Sequence, residues 1–393
     1  MFLLMKSLQV KKMAFSRSVV SILVSFFCIA VMLCIPTGFE GAIQFKDAVK
    51  CRAKILEVDN SRFIDTGLIR TGQQVCTVKF LSGKFKGRTA EGWNMLNGSL
   101  SQDKIFHPGD TAQALVQWDY FDGVEKAGNE NIISVNLIDH YRLRGELILA
   151  LCFAAFLILF AGATGVRSVL SFVLTVLALW KIIIPLYLKG IDPIVTGLTG
   201  TAFLTVMIIA LVYGFDRRLF SAAGGAMLGI IFCAVLSIVC TKCLKIHGAV
   251  MAYSESLLYS GFQHLNLTRI FMSAICIGAS GSVMDLSVDI TSAVNEVVKK
   301  CPSITRWEAI KSGLAVARAA MGTMTTTLLL AYSGTCIALL MTFMAQGTPV
   351  YNILNNNQIA AEIINTVAGS FGLAATAPFT AFLAGTILVK KQK

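Results

Sequence analysis

Eight apolar runs, each close to the ~20 residues that a helix needs to cross a lipid bilayer, most constrain the fold of this chain. Hydrophobic residues make up 55% of the 393 positions and charged residues 14%, a composition typical of a polytopic membrane protein and not of a soluble one. We therefore predict a mainly α-helical membrane protein with an eight-helix transmembrane bundle, although a split of the stretch 310–345 would make the number odd. The runs are 18–35, 147–166, 168–188, 193–213, 219–241, 268–291, 322–344 and 362–389.

Positive charges are distributed unevenly about these runs. With the N-terminus inside, far more lysines and arginines fall in cytoplasmic segments than in the short outer loops, and this excess marks the cytoplasmic side. We therefore predict that both termini are cytoplasmic. The net charge of +12 has the same origin. The sequence has no basic stripe with interleaved aromatic residues, so we do not predict nucleic-acid binding. The inner set is Lys6, Lys11, Lys12, Arg17, Arg167, Arg217, Arg218, Lys299, Lys300, Arg306, Lys311, Lys390, Lys391 and Lys393, and the outer set is Lys189, Lys242, Lys245 and Arg269.

The chain before the second run has two parts. Residues 1–36 predict an N-terminal signal anchor, because the apolar run is long and no clear small-residue cleavage site follows it. Residues 37–144 are polar and broken into short alternating runs, which predicts a small extracytoplasmic β-rich domain, OB-like in form. Residues 145–393 would supply the other seven helices. The predicted strands are 53–59, 76–82, 89–96, 111–120 and 133–141.

Two cysteines of the β-rich segment leave a question open. Cys51 and Cys76 could form a disulfide outside the cytoplasm, and the sequence favours neither that bond nor two free thiols. Cys240 and Cys243 form a lone CxxC with His247 nearby. Two cysteines at a helix end are the favoured interpretation, because no second ligand pair accompanies them.

Two carboxylates lie inside the apolar run 268–291. Asp285 and Asp289 are four residues apart, so they share one face of a helix. A carboxylate at membrane depth costs roughly 3 kcal/mol or more. Arg318, at the start of the next helix, is predicted at a similar depth, and an ion pair with it would offset part of that cost.

These residues admit two interpretations. In the first, the acids form a cation or proton site in which nearby hydroxyl groups complete the coordination, since hard cations prefer oxygen ligands. In the second, acids and arginine form a buried ion pair that fixes helix register. The first is favoured, because intramembrane acids more often lie on pathways than not. The candidate pathway residues are Asp285, Asp289, Arg318, Thr323, Thr325, Thr326 and Ser282.

Three stretches resemble the YibE/F family of bacterial membrane proteins: GSVMDLSVDITSAVNEV at 281–297, ITRWEAIKSG at 304–313 and VARAAMGTMTTTLLLAY at 316–332. The similarity extends to the DHYR stretch at 139–142 and to the order of parts. The family usually has an acid after the arginine and an asparagine within the threonine run, where this chain has Ala319 and Thr326; Asp289 would substitute for that acid. The resemblance implies a multi-pass protein of the bacterial inner membrane, and it supplies no substrate. The family motif residues fall on Met284, Asp285, Arg318, Met321, Gly322, Thr323, Met324 and Thr325.

The first functional hypothesis is a transporter or permease without its own ATPase, which moves a small solute or ion past Asp285 and Asp289. The alternative is a non-transporting cell-envelope protein whose segment 37–144 binds a partner. An enzyme is not expected, because no nucleophile–base pair, nucleotide loop or cofactor fingerprint is present. The sequence predicts no cofactor and leaves the substrate, any metal and the oligomeric state open.

Overall fold

The computed structural model describes residues 20–39, 48–120 and 130–389. The chain divides into two compact units, one of Glu40–Phe156 and one of Met1–Phe39 with Leu157–Lys393. Some of the charges that predict the orientation lie outside the described residues, as does the beginning of the predicted signal anchor. These charges are Lys6, Lys11, Lys12, Arg17, Lys390, Lys391 and Lys393.

The first unit contains a small β-barrel. All five predicted strands are present, and a short additional strand lies between the first two. The sheet order is β1-β5-β6-β4-β3-β2, and β1 also pairs with β3, which closes the barrel. The parallel contact between β4 and β6 and the five-stranded closure agree with the OB-like prediction. The strands are β1 Ala48–Asp59, β2 Phe63–Asp65, β3 Arg70–Phe80, β4 Thr89–Asn97, β5 Thr111–Tyr120 and β6 Glu130–His140.

Buried and exposed side chains alternate along the strands, and the buried ones fill the barrel. In β4, for example, Asn94 and Leu96 are buried while Trp93 and Met95 are exposed, as the two-residue period of a strand requires. The two cysteines lie in this core as free thiols. Cys76 is opposite Val58 in the β1–β3 register, seven positions along β1 from Cys51, so the strand pairing does not bring the two together. Burial raises the pKa of the Cys76 thiol to about 11.

Seven helices of the described residues are long and apolar enough to cross a membrane. An eighth apolar helix, α1, has 15 described residues, and the chain before it lies outside the described part. The long helices are α2 Leu143–Ala161, α3 Ala163–Ala178 continuing through a π-helical turn into α4 Ile184–Leu188, α5 Pro193–Tyr213, α6 Arg217–Cys243, α8 Leu267–Lys300, α9 Arg306–Thr335 and α12 Asn357–Leu388. The shorter helices are α1 Val20–Cys34, α7 Ser254–Tyr259, α10 Ile337–Ala345 and α11 Val350–Leu354.

The predicted span at 322–344 is wrong in its position. Helix α9 begins at Arg306, because Thr305 accepts a hydrogen bond from the Glu308 amide while the Glu308 carboxylate accepts one from the Thr305 amide. This capping box fixes the helix start. The helix ends at Thr335, and the separate short helix α10 follows it. The stretch 310–345 is therefore divided between α9 and the nine-residue α10, which is too short to be the second span of the alternative interpretation.

Helices α6, α8 and α12 pack against one another in what we call the interior seam. Small residues make this packing close: at Gly225 and Gly229 of α6, an added Cβ would overlap Thr380 and Thr376 of α12. Small residues at helix contacts are how membrane helices approach one another. From α8, the seam buries Val283, Leu286, Ile290 and Val294 completely.

Candidate functional site

The two acids lie on the side of α8 that faces away from the interior seam. Asp285 and Asp289 are exposed in the single chain, and so are Ala274, Gly278 and Gly281. These five residues are three or four positions apart, so they form one continuous helical face. We call this face the acid stripe. It runs for about 22 Å at 1.5 Å per residue, which is most of the ~30 Å hydrocarbon core of a bilayer.

The acid stripe has no counter-charge within the described part of the chain. No described Lys, Arg or His nitrogen lies within 4.0 Å of either carboxylate. The predicted ion pair with Arg318 is therefore wrong. Its neighbour Ala317 is 1% exposed and faces the core, and successive helical residues point about 100° apart. Arg318 is exposed in the single chain.

The predicted threonine hydroxyls bond to their own helix. Thr323 donates to the Ala320 carbonyl at 3.0 Å, and Thr326 donates to the Gly322 carbonyl at 3.0 Å. Thr325 donates to Met321 at 2.8 Å, a pattern common for hydroxyls within helices. Among the described residues, none of these hydroxyls bonds to an acid. Ser282 is half-buried and lies on α8 beside the stripe. The oxygen lone pairs of all four hydroxyls remain able to accept a further bond.

A tyrosine marks one end of the acid stripe. The Tyr213 hydroxyl, at the end of α5, donates to the Val288 carbonyl at 2.6 Å and lies 2.7 Å from the Ser292 hydroxyl. The Arg218 guanidinium lies over the Tyr213 ring at 4.8 Å. That guanidinium also pairs with Asp216 at 3.2 Å. Its charge is thus shared with an acid outside the stripe.

A pocket of about 460 Å³ lies at the other end of the stripe. We call it the Glu362 pocket, after the acid that α12 places in its wall beside Ala274 of the stripe. The Glu362 carboxylate accepts a hydrogen bond from the side-chain amide of Asn365 at 3.1 Å. Within the described ranges, no cationic nitrogen lies within 4.0 Å of it. The remaining wall is Val250, Met251, Ala252, Phe271, Tyr332, Thr335, Cys336, Leu339, Gln358, Ala361 and Asn365.

Tyr332 of α9 connects this pocket to the stripe. Its ring lines the pocket, and its hydroxyl comes so close to Gly278 that a Cβ there would lie 2.5 Å from the oxygen. Gly278 is therefore required for this approach. Tyr332 thus lies between the Glu362 pocket and the acid stripe at Gly278, and Asp285 follows about 10 Å further along α8.

The chemistry available along this line is that of carboxylate and hydroxyl oxygens. No group of three or more His, Cys, Asp or Glu side chains that could hold a metal ion occurs in residues 20–39, 48–120 and 130–389. Two carboxylates on one helical face, without a cation beside them, can instead take up a proton or a single cation. Either event lowers the cost of holding negative charge in a medium of low dielectric constant.

A family profile described as "YibE/F-like protein" matches residues 149–390, which is more than half of the chain. The chain belongs to the YibE/F-like family. This confirms the resemblance seen in the sequence and, with the apolar helices, makes the protein a multi-pass membrane protein. No curated protein and no solved structure gives a significant match. The YibE/F-like region begins inside α2, so it contains the acid stripe and the Glu362 pocket and leaves the barrel outside.

The Glu362 pocket is the part of this YibE/F-like site that sequence reasoning missed. The predicted span begins at residue 362, which places its acid at a helix end. In the structure α12 begins at Asn357, and Glu362 lies about 8 Å along the helix. The spacing of Glu362 and Asn365, three positions apart inside an apolar run, was a usable signal. Tyr332 gave no comparable signal, because its approach to Gly278 depends on how α8 and α9 pack.

Proposed function

We propose that this YibE/F-like protein is a permease of the bacterial cytoplasmic membrane that moves a small cation, a proton included, along the acid stripe. The Glu362 pocket would admit the cation at the outer side, and Asp285 and Asp289 would carry it toward the cytoplasm or back. The proposed orientation, with both termini inside, rests on the excess of Lys and Arg in the predicted cytoplasmic segments.

One observation carries the proposal: three carboxylates, two on the acid stripe and one in the pocket at its end, have no cation beside them in the described chain. An unpaired acid at membrane depth costs roughly 3 kcal/mol or more. A structural role would be expected to offset that cost with an arginine or lysine, as Asp192 is paired with Arg269 in this bundle. A mobile cation offsets the same cost only while it is bound, which is what transport requires.

Two glycines lie between the acid of the pocket and the acids of the stripe. Gly278 and Gly281 lie on the stripe between the pocket and Asp285. Glycine leaves room beside a helix for a solute, and it permits local rearrangement of a transmembrane helix. The pocket, at about 460 Å³, is in the size range of small-molecule sites.

Flux in reconstituted vesicles tests this proposal. The full-length protein is placed in vesicles with an imposed potential, and entry of H⁺, Na⁺, K⁺, Mg²⁺ or Mn²⁺ is followed with ion-specific dyes. We expect flux of at least one of these cations, and we expect it to fall by about tenfold or more in Asp285→Asn. The reason is that the transported cation would lose the carboxylate with which it pairs in a desolvated site, and such a loss is costly.

Glu255→Gln is the matched control. Glu255 is an exposed acid on the short helix α7, away from the acid stripe, and its neutralisation should leave flux unchanged. The proposal fails if no cation of the panel crosses, or if Asp285→Asn transports as well as the unaltered protein.

A second function is favoured by one feature of the barrel. Strands β4 and β6 meet at a single register pair, Trp93 with Asn136, and a groove of about 490 Å³ lies between them. Trp93 and Ile133 are exposed there, so this groove is where an envelope partner would bind. A photo-crosslinking residue at position 133 of the full chain, compared with one at Lys86, would then give a discrete protein adduct in cells. Equal labelling at both positions would contradict this function.

A further inference from the structure

The register of the barrel shows which of its ends leads into α2. Strands β4 and β6 run parallel, with Trp93 opposite Asn136. Asn97 ends β4 four residues beyond this pair, and His140 ends β6 four residues beyond it. The two strands therefore end at the same level. Since α2 begins at Leu143, this is the end from which the chain enters the first long apolar helix.

The distance from this barrel end to the membrane helix is short. Three peptide steps separate His140 from Leu143, and they span at most about 11 Å. The helix α2 carries Arg144 and Glu146 in its first turn, is apolar from Leu147 onward and has no buried residue. Its hydrophobic surface must therefore be covered by lipid or protein close to its start, which brings the bilayer surface near this end of the barrel.

The hairpin between β2 and β3 projects from the same end. Thr71 of β3 lies opposite Asn97, so the residues before Thr71 extend beyond the level where β4 and β6 finish. Leu68, at the tip, is three positions beyond Thr71 and reaches up to about 10 Å further at strand spacing. That reach is about equal to the length of the linker to α2.

Exposed apolar side chains cover this projection. Leu68 is 74% exposed, Ile64 is 69% exposed, and Leu100, in the loop after β4, is 74% exposed. Leu68 and Leu100 line the same shallow depression at the barrel end. Large apolar side chains grouped at a surface mark a contact with protein or lipid. We call Ile64, Leu68 and Leu100 the apolar rim.

The loops that carry the apolar rim are held in place. In the hairpin, the Thr66 amide donates to the Ile69 carbonyl at 3.0 Å, and the Arg70–Asp65 ion pair at 2.7 Å closes its base. In the other loop, Asp103 accepts hydrogen bonds from the amides of Asn97 and Ser99 at 2.9 Å. The apolar side chains are thus presented on ordered turns.

The opposite end of the barrel differs in the part that the structure describes. The β3–β4 connection at 81–88 carries Lys84, Lys86 and Arg88, and its Phe85 is 1% exposed in the core. Its most exposed apolar residue is Leu81, at 36%. Among the described loops of the barrel, the strongly exposed apolar tips therefore lie at the α2 end.

We propose that the apolar rim inserts into the lipid interface, so that the barrel is attached to the bilayer by its loops as well as by α2. The occupant is the headgroup and upper acyl region of the lipid. Apolar side chains on a surface beside a membrane anchor bind in this region. With two attachments, the barrel axis keeps one angle to the membrane, and the open face between β4 and β6 keeps one direction.

Lipid quenching of an introduced tryptophan tests the insertion. Leu68→Trp and Leu100→Trp are made in the full-length protein and reconstituted in phosphatidylethanolamine–phosphatidylglycerol vesicles with or without brominated lipid. The emission of the four natural tryptophans is subtracted with the unaltered protein. Lys86→Trp, on the loop at the opposite end, is the control.

The expected result is blue-shifted added emission from the rim variants and at least about twofold more quenching by brominated lipid than for Lys86→Trp, because the interface buries such side chains 5–10 Å deep. Added emission from both rim variants that matches Lys86→Trp in wavelength and quenching would overturn the proposal. Equal, strong quenching of all three variants would also overturn it, because the barrel would then lie on its side. The two rim variants sit on separate loops, so misfolding of one leaves the other as the test.

Discussion

The polar side chains on the two sides of helix α8 differ in whether they have bonding partners. On the interior seam, Ser287 donates to the Ala222 carbonyl of α6 at 2.5 Å, and Thr291 lies 3.4 Å from the Ser221 hydroxyl. On the acid stripe, the carboxylates of Asp285 and Asp289 cost more to desolvate than a hydroxyl does, and the described chain places no cation beside them. The same helix therefore satisfies its weak polar groups and leaves its strong ones unpaired.

This difference distinguishes the polar residues of α8 that stabilise the bundle from those that do not. A paired hydroxyl in a membrane contributes modest stability, on average about 0.6 kcal/mol. An unpaired carboxylate contributes none and carries a desolvation cost. The seam is thus the part of α8 that packs the bundle together, and the acid stripe is the part to which the proposed function assigns transport.

The largest expected effect comes from a glycine of the seam. Gly229→Leu of α6 would place a side chain where Thr376 of α12 packs. Overpacking without room to relax costs about 1–3 kcal/mol or more, and here a whole helix must move. We expect loss of most folded protein, measured as the monodisperse fraction in size-exclusion chromatography after detergent extraction.

Gly334→Leu is the control for that experiment. Gly334 lies in α9 with no described atom near the position of an added Cβ. It should extract as the unaltered protein does. Equal yields of the two variants would mean that the seam is not what holds the bundle together.

A change on the acid stripe should spare the fold and impair flux. Gly278→Val places methyl groups against the Tyr332 hydroxyl, in the connection between the Glu362 pocket and Asp285. We expect cation flux to fall by several-fold while the melting temperature changes by less than about 2 °C, since ~1 kcal/mol shifts the melting temperature of a chain of this size by about 1 °C. Unaltered flux in a well-folded Gly278→Val would show that the path does not pass Tyr332.

The smallest effect is expected from single hydroxyls on the two sides. Ser287→Ala removes the bond to Ala222 and should cost about 0.6 kcal/mol, and at most about 1.7. Ser282→Ala, on the other side of the helix, has no such bond to lose and should leave stability unchanged. Unfolding in mixed micelles measures both, and a larger loss for Ser282→Ala would reverse the assignment of the two sides.

Local patterns in the sequence account for much of this fold. The alternation in 89–96 and 111–120 predicts strands that the barrel contains, and the spacing of Asp285 and Asp289 predicts their common face. The capping box at Thr305 and Glu308 was readable as well, and it would have placed the start of α9 correctly. Periodicity and caps are properties of short segments, so no knowledge of packing is needed to find them.

Features that depend on the rotation of one helix against another could not be found in this way. Depth alone suggested an ion pair of Arg318 with the acids, yet depth does not say in which direction a side chain points. In the structure Arg318 and both acids are exposed, and no Arg318 nitrogen lies within 4.0 Å of either carboxylate. The Glu362 pocket likewise needs residues from α8, α9 and α12 together.

Thermal unfolding of Asp285→Asn/Asp289→Asn in detergent is the measurement that tests most directly whether the acids of α8 are unpaired. Two like charges on one face repel each other, so neutralising both should leave the apparent melting temperature unchanged or raise it. A fall of more than about 5 °C, roughly 4 kcal/mol for a chain of this size, would contradict the account, because it would show that the carboxylates hold the bundle together.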